Sequence, residues 1–338
     1  MNDFRIALLG LGTVGTAVAE LLATTRDECL ARAERPVVVD RIIVRNLDRP
    51  RSIPEDLPGK KVLSSDPMDA VHDPEIDAIV ELVGGEDHPR IWIKEALESG
   101  KNVITANKAV LAIHGEELFN IALEQKKGLY YEASVAAAVP VLQVIQQGIP
   151  AGPVDRLMGI LNGTCNYILD SLEENSFEHS VELAQKAGLA EADPTLDVSG
   201  MDSAHKLALL ARILLGYTVS VEDMRVEGIV GIDPIDLSFG WSHDLRLKLV
   251  GVLARNGKGT SMGVMPCFLP ADHPLSNIRQ EDNAILLEAD PFGSLVLQGK
   301  GAGGKPTAGS VVADILRAAR GDTFATPFVE KRQDILDP

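Results

Sequence analysis

Apolar and polar positions along this chain follow two rhythms. A short apolar run, Phe4–Leu9, gives way to a helical spacing of Val14, Val18, Leu21 and Leu22. Strand-like runs recur at Val37–Val44, Ile76–Val83, Lys101–Thr105 and Leu129–Val135, with helical segments at Pro89–Ser99 and Glu116–Lys126. Strand–helix repeats of this kind predict an α/β fold, a doubly wound parallel sheet of Rossmann type. Past residue 139 the rhythm changes. An apolar helix, V-L-Q-V-I-Q-Q-G, precedes a strand at Arg156–Ile160 and a polar turn that enters a helix over Asn162–Leu169. Strands follow at Leu245–Leu253, Ser261–Leu269, Ala284–Ala289 and Leu295–Gln298, with Asp290-Pro-Phe-Gly as a hairpin turn. The pattern predicts a second, α+β domain over 139–305, the first covering 1–138 and joined by a C-terminal helix at about 306–338. A length of 338 residues fits two domains.

The first apolar run ends in G-L-G-T-V-G, with Gly10, Gly12 and Gly15 between a strand and a helix. That context turns a weak motif into a dinucleotide-binding expectation. Gly10 makes the tight turn, Gly12 lets backbone approach a pyrophosphate, and Gly15 lets helix and strand pack closely. Thr13 and Val14 open the helix whose N-terminus favours the phosphates. At the end of the second strand stands Arg45, with Asp48 displaced into the loop. An arginine there accommodates a 2′-phosphate, so NADP is expected, with NAD as second cofactor. Gly84-Gly85 and T-A-N-K (Thr105–Lys108) follow later strands, at the carboxyl edge where ligands bind in such folds. Glycines at 299–304, Gly303 among them, precede a proline-initiated helix and place backbone near a ligand.

The formal charge of −17 argues against nucleic acid or anionic membrane as partners. No apolar run is long enough to span a bilayer, and the N-terminus reads as a strand, not a signal peptide. Cys29, Cys165 and Cys267 are odd in number and lack metal-ligand spacing, which suggests a reducing, cytoplasmic setting.

The densest signal lies at 184–206. A helix stops at Gly188, a loop carries Glu191, Asp193 and Asp197, Gly200 allows a tight turn, and Asp202 reads as the N-cap of a new helix. Asp202 and Lys206 are four apart and meet near its first turn. A carboxylate and an amine under a loop of acids suit an amino-acid substrate and a proton transfer. A capped helix with a solvated ion pair is the plainer alternative.

This stretch resembles the signature of the homoserine dehydrogenase family. Ala184, Gly188, Leu189, Asp193, Pro194, Asp197, Val198, Gly200, Asp202 and Lys206 all fit it, as do N-G-T-C-N-Y, T-A-N-K and G-A-G-x-x-P-T elsewhere. The resemblance implies reversible oxidation of L-homoserine to L-aspartate 4-semialdehyde, in a homodimer. It implies Lys206 as proton donor, Asp202 as its partner, Lys108 contacting substrate or cofactor, and Glu191 and Asp197 at the substrate ammonium. It also implies a monovalent cation held by backbone carbonyls at Glu132, Val135, Ala137 and Val139. There this chain carries Ala136–Ala138 where the family is rich in glycine, and alanine restricts positive φ. A C-terminal threonine-sensing domain is not expected. Two other readings stay open: a dehydrogenase of another small amino-acid-like alcohol or aldehyde, and a cofactor-binding sensor without catalysis.

Overall fold

The computed structural model describes residues 2–148, 154–256, 259–322 and 335–336. Its chain contacts divide into two units, 1–138 with 303–326, and 139–302 with 327–338.

In the first unit β1 (Phe4–Leu9) leads into α1 (Thr13–Thr24) and α2 (Arg26–Ala33). Then come β2 (Val37–Ile43), β3 (Val62–Ser64), α3 (Met68–Val71), β4 (Ala78–Glu81) and α4 (Asp87–Glu98). β5 (Asn102–Thr105), α5 (Lys108–Gln125), β6 (Leu129–Tyr130) and α6 (Ala133–Ala136) complete the run. The sheet is parallel, in the order β3-β2-β1-β4-β5-β6. This is the expected doubly wound arrangement, and its strand order reverses beside β1, which is where such sheets open a ligand crevice. β1 is apolar on both faces because helices cover both, and Ile6, Leu8, Val18, Ile42 and Ile315 share one buried core.

The second unit holds α7 (Val141–Gln143), β7 (Arg156–Ile160), α8 (Gly163–Ser171), α9 (Phe177–Lys186), α10 (Thr195–Val198) and α11 (Met201–Leu215). It continues with β8 (Arg225–Val226), α12 (Pro234–Ser242), β9 (Leu245–Asn256), β10 (Gly259–Pro270), β11 (Asp282–Ala289) and β12 (Gly293–Lys300). α13 (Gly304–Arg320) returns to the first unit, and β13 (Ile335–Leu336) pairs with β10. The sheet is mixed, in the order β12-β11-β7-β9-β10-β13, with β8 also on β10. β9 ties α8 to this sheet through Lys248, whose buried ammonium donates to Asn166 Oδ1 at 2.9 Å, Asp170 Oδ1 at 3.0 Å and the Ile278 carbonyl at 2.6 Å. Burial holds its pKa below the usual lysine range.

Several expectations are corrected. The strand expected over Leu129–Val135 stops at Tyr130, because later backbone groups find partners outside the sheet. Glu132 N–H donates to the Asp314 carboxylate at 2.9 Å, and Ser134 N–H and Oγ both donate to the Tyr131 carbonyl. The helix expected from Glu116 begins at Lys108, capped by Asn107, whose side chain accepts from Val110 N–H. The C-terminal helix ends at Arg320, well short of 338; residues 323–334 lie outside the described residues. Asp202 is not an N-cap: Gly200, at φ 83°, holds that place, and Asp202 sits inside the first turn of α11. Alanine also proves no bar to positive φ, since Ala137 adopts φ 44°, ψ −98°. Such a conformation costs about 1–3 kcal/mol, and Ser310 Oγ on α13 donates to the Ala137 carbonyl within the same unit. Among the described residues no helix is long and apolar enough to cross a membrane.

Candidate active site

At the carboxyl end of β1 the chain turns at Gly10, φ 98°, whose backbone N–H donates to the Ile43 carbonyl at 2.9 Å. A Cβ at Gly10 would stand 2.8 Å from the Leu82 carbonyl oxygen, and one at Gly15 would stand 2.1 Å from that of Gly10. Only glycine fits either place. A Cβ on Gly12, by contrast, would meet nothing within 4 Å. That open face lies at the start of α1, which has no side-chain cap. α13 likewise starts without one, at Gly303 (φ 110°), and packs Gly304 so closely that a Cβ would reach 2.8 Å from Thr13. Helix N-termini with uncommitted N–H groups attract phosphate. Gly10, Gly12, Thr13, Gly304 and Lys305 line one cleft of about 1340 Å³, with Arg45, Arg49, Arg51 and Ser65 also on its wall.

The loops after β4 and β5 are tied by a buried carboxylate. Glu81 Oε1 accepts from Val83 N–H at 2.8 Å and Gly84 N–H at 3.2 Å, while Oε2 accepts from the Thr105 hydroxyl at 2.7 Å. Asn107 Nδ2 donates to the Gly85 carbonyl at 2.8 Å. Lys108 follows directly, half-buried as the first residue of α5.

In the second unit a polar cluster surrounds Lys206. Its ammonium lies 2.8 Å from Asp202 Oδ2 and donates to the Leu161 carbonyl at 2.7 Å, with about a tenth of each side chain exposed, 11% and 10%. Asn162, at the N-cap of α8, donates from Nδ2 to Asp197 Oδ1 at 2.7 Å and to Asp202 Oδ2 at 2.8 Å. Asn283 Nδ2 shares the Leu161 carbonyl at 3.0 Å. Cys165 is buried beside them and donates its Sγ–H to the Asp197 carbonyl. Burial first, then the two nearby carboxylates, push that thiol well above its usual pKa. Two carboxylates, an ammonium and neutral donors, with Asp202 and Lys206 buried and Asp197 half-buried, can bind an amino-acid substrate and deliver a proton.

Two family models match consecutive stretches: "Homoserine dehydrogenase, NAD binding domain" over residues 10–132 and "Homoserine dehydrogenase" over 140–316. The homoserine dehydrogenase of Bacillus subtilis is 37% identical over 98% of this chain and 78% of its own length. That of Corynebacterium glutamicum is 38% identical over 93% and 72%. The crystal structure of a homoserine dehydrogenase from Thiobacillus denitrificans superposes with a TM-score of 0.93, at 35% identity over 99% of this chain and 80% of that one. The chain belongs to the homoserine dehydrogenase family. It is an NAD(P)-dependent oxidoreductase acting on a CH–OH group.

Within this family member Asp202 and Lys206 meet as their spacing suggested, and Asn162 joins Asp197 to them by hydrogen bonds. Glu191 stands exposed on the loop before α10, where its carbonyl receives Gln185. Asp193 serves the turn, accepting from Thr195 N–H and Oγ1, which holds its carboxyl below the usual range. Of the expected cofactor residues, Gly10, Gly12, Thr13 and Arg45 line the cleft. Val14 and Gly15 pack beneath it, and the Thr105 hydroxyl is committed to Glu81. Gly84 and Gly303 both hold positive φ at loop turns. Missed from sequence were Asn162, Glu81, Arg49, Arg51 and Lys305, together with Trp92 and His88, whose rings stack at 5.9 Å on the cleft wall. The N-G-T motif was the signal for Asn162, and Lys305 falls at an unspecified position of G-A-G-x-x-P-T. Nothing in the local pattern marks Glu81 as a buried acid.

Proposed function

We propose that the chain interconverts L-homoserine and L-aspartate 4-semialdehyde, with NADP preferred, and that Lys206 is its proton donor. The observation carrying this reading is the Lys206–Asp202–Asn162–Asp197 cluster. The nicotinamide cofactor, when bound, supplies the hydride in the reductive direction. Negative charge then grows on the aldehyde oxygen. Lys206 gives two hydrogens to Asp202 and Leu161, which leaves the third to bond that oxygen and pass it a proton. Asp202 orients the ammonium. Asp197 and Glu191 bind the substrate ammonium, and Lys108 holds the substrate or shares the proton. The same reading places the enzyme in a reducing cytoplasm, where its three free cysteines stay thiols.

The cleft wall supports the preference for NADP. Arg45, Arg49 and Arg51 gather beyond β2, where the ribose of a bound dinucleotide lies, and Asp48 is not among the lining residues. The Asp48 N–H instead donates to Asn46 Oδ1, closing a turn. A monovalent cation suits neutral carbonyl oxygens. Those of Glu132, Ala137 and Val139 accept from Val135 N–H, Ser310 Oγ and Val141 N–H. With Val135 they would hold a cation whose part is to brace the bent backbone at Ala137. A second copy of the chain is the expected partner of the second unit, which leaves Ile235 and Phe239 of α12 and Val296 of the edge strand β12 exposed.

Four outcomes are expected. Lys206→Ala lowers kcat by at least about 100-fold with little change in KM; near-normal turnover removes Lys206 from the chemistry. Arg45→Ala or Arg51→Ala raises the KM for NADPH by about 10- to 100-fold, the worth of one charge-assisted hydrogen bond, and leaves that for NADH unchanged. Equal effects on both would overturn the 2′-phosphate reading. Replacing sodium and potassium by tetramethylammonium lowers activity, and full activity without them removes the cation. Light scattering finds twice the chain mass, and a monomer at assay concentration removes the dimer.

A further inference from the structure

The N-cap residue of α8 does more than end a helix. Asn162 is 4% exposed, and every polar atom of its side chain is engaged. Its Oδ1 accepts the Cys165 backbone N–H at 2.7 Å. A backbone N–H can only donate, so this contact assigns the amide orientation and turns the NH₂ toward the acids. That nitrogen donates to Asp197 Oδ1 at 2.7 Å and Asp202 Oδ2 at 2.8 Å. Two carboxylates bonded to one nitrogen are close neighbours. Their like charges repel, and the two N–H groups of the amide offset that repulsion. Asp202 Oδ2 is also the oxygen paired with Lys206.

We infer that Asn162 is a positioning residue for the reaction, its amide clamping Asp197 and Asp202 side by side as anions so that Lys206 and the substrate ammonium each meet a carboxylate. Among the groups facing the clamp are Asp197 on α10, Asp202 and Lys206 on α11, and the Cys165 thiol on α8. A neutral donor is the residue type that does this without adding charge. Lysine there would compete with Lys206, and aspartate would add a third acid.

The inference rests on the proposed roles of Lys206 and Asp202. Asn162→Ser and Asn162→Asp both keep an oxygen able to cap α8, and neither keeps the amide. Asn162→Ser is expected to melt near the wild-type temperature and Asn162→Asp below it, and both to bind NADPH unchanged. Their kcat should fall by about 10- to 100-fold. The acid limb of the kcat/KM profile should move up by about one pH unit, further for Asn162→Asp. Unchanged kcat, or a lower kcat with the acid limb unmoved, overturns the inference. If one variant fails to fold the other decides; if neither folds although the cap oxygen is kept, Asn162 is structural and the inference fails. Lys206→Ala in the same assay separates the two readings. Wild-type turnover there removes the assignment of Lys206, whereas an inactive Lys206→Ala beside unshifted Asn162 variants removes only the clamp.

Discussion

An ammonium group with about a tenth of its side chain open to water is stable only among partners that replace its hydration, and the second unit is arranged around that requirement at Lys206. Asp202 lies one helical turn before it on α11, so the pair forms as soon as the helix does. The Leu161 carbonyl comes from just past the end of β7, where it accepts from both Lys206 and the Asn283 side chain of β11. Asn162 and Asp197 come from α8 and α10. Four elements therefore have to converge for one charge to be buried. Lys248, a second buried lysine, holds α8 against β9 and Ile278 and so keeps one of the four in place.

The first unit solves a different problem, that of holding a large anionic cofactor in a chain of net charge −17. Backbone does much of this. Gly10 and Gly15 let β1, α1 and the β4 loop approach to distances that no side chain permits, and Gly12 leaves the approach open. Two helix starts, of α1 and α13, present N–H groups without side-chain caps. Positive side chains are added locally, as three arginines and Lys305, so the pocket is basic while the molecule is acidic. α13 also braces the segment after β6 through Asp314 and Ser310. Asp314 is fully buried, and its carboxyl is pushed up to about 7, desolvation outweighing the Arg317 guanidinium nearby.

Much of this was legible in residue order. Period-two and period-3.6 patterns located β1, β2, β5, β7 and the long strands of the mixed sheet, because these elements bury a regular face or are buried throughout. Short elements escaped. β3 is exposed and three residues long, and α12 is an amphipathic helix of little contrast. Leu129–Val135 misled because an apolar run of that length fits a strand or a buried turn equally well, and only Asp314, far along the chain, decides between them. Asp202 misled because an acid before a helical run usually caps it. Here Gly200 can take positive φ and cap with backbone alone, which frees the carboxylate for Lys206 and Asn162.

Residue types and spacings along the chain settled the α/β class, the glycine loop, the D-x-x-x-K pair and the family. Each of these is a local property: a strand period, a turn that only glycine makes, one turn of helix. Folding in three dimensions settled which acids gather at Lys206, that Asn162 stands between Asp197 and Asp202, that Thr105 is spent on Glu81, and which arginines share one cleft. Those pairings join residues as far as 40 positions apart. Hydrogen bonds and charge interactions act over a few ångströms of space, and sequence separation carries no record of which groups the fold will bring within that reach.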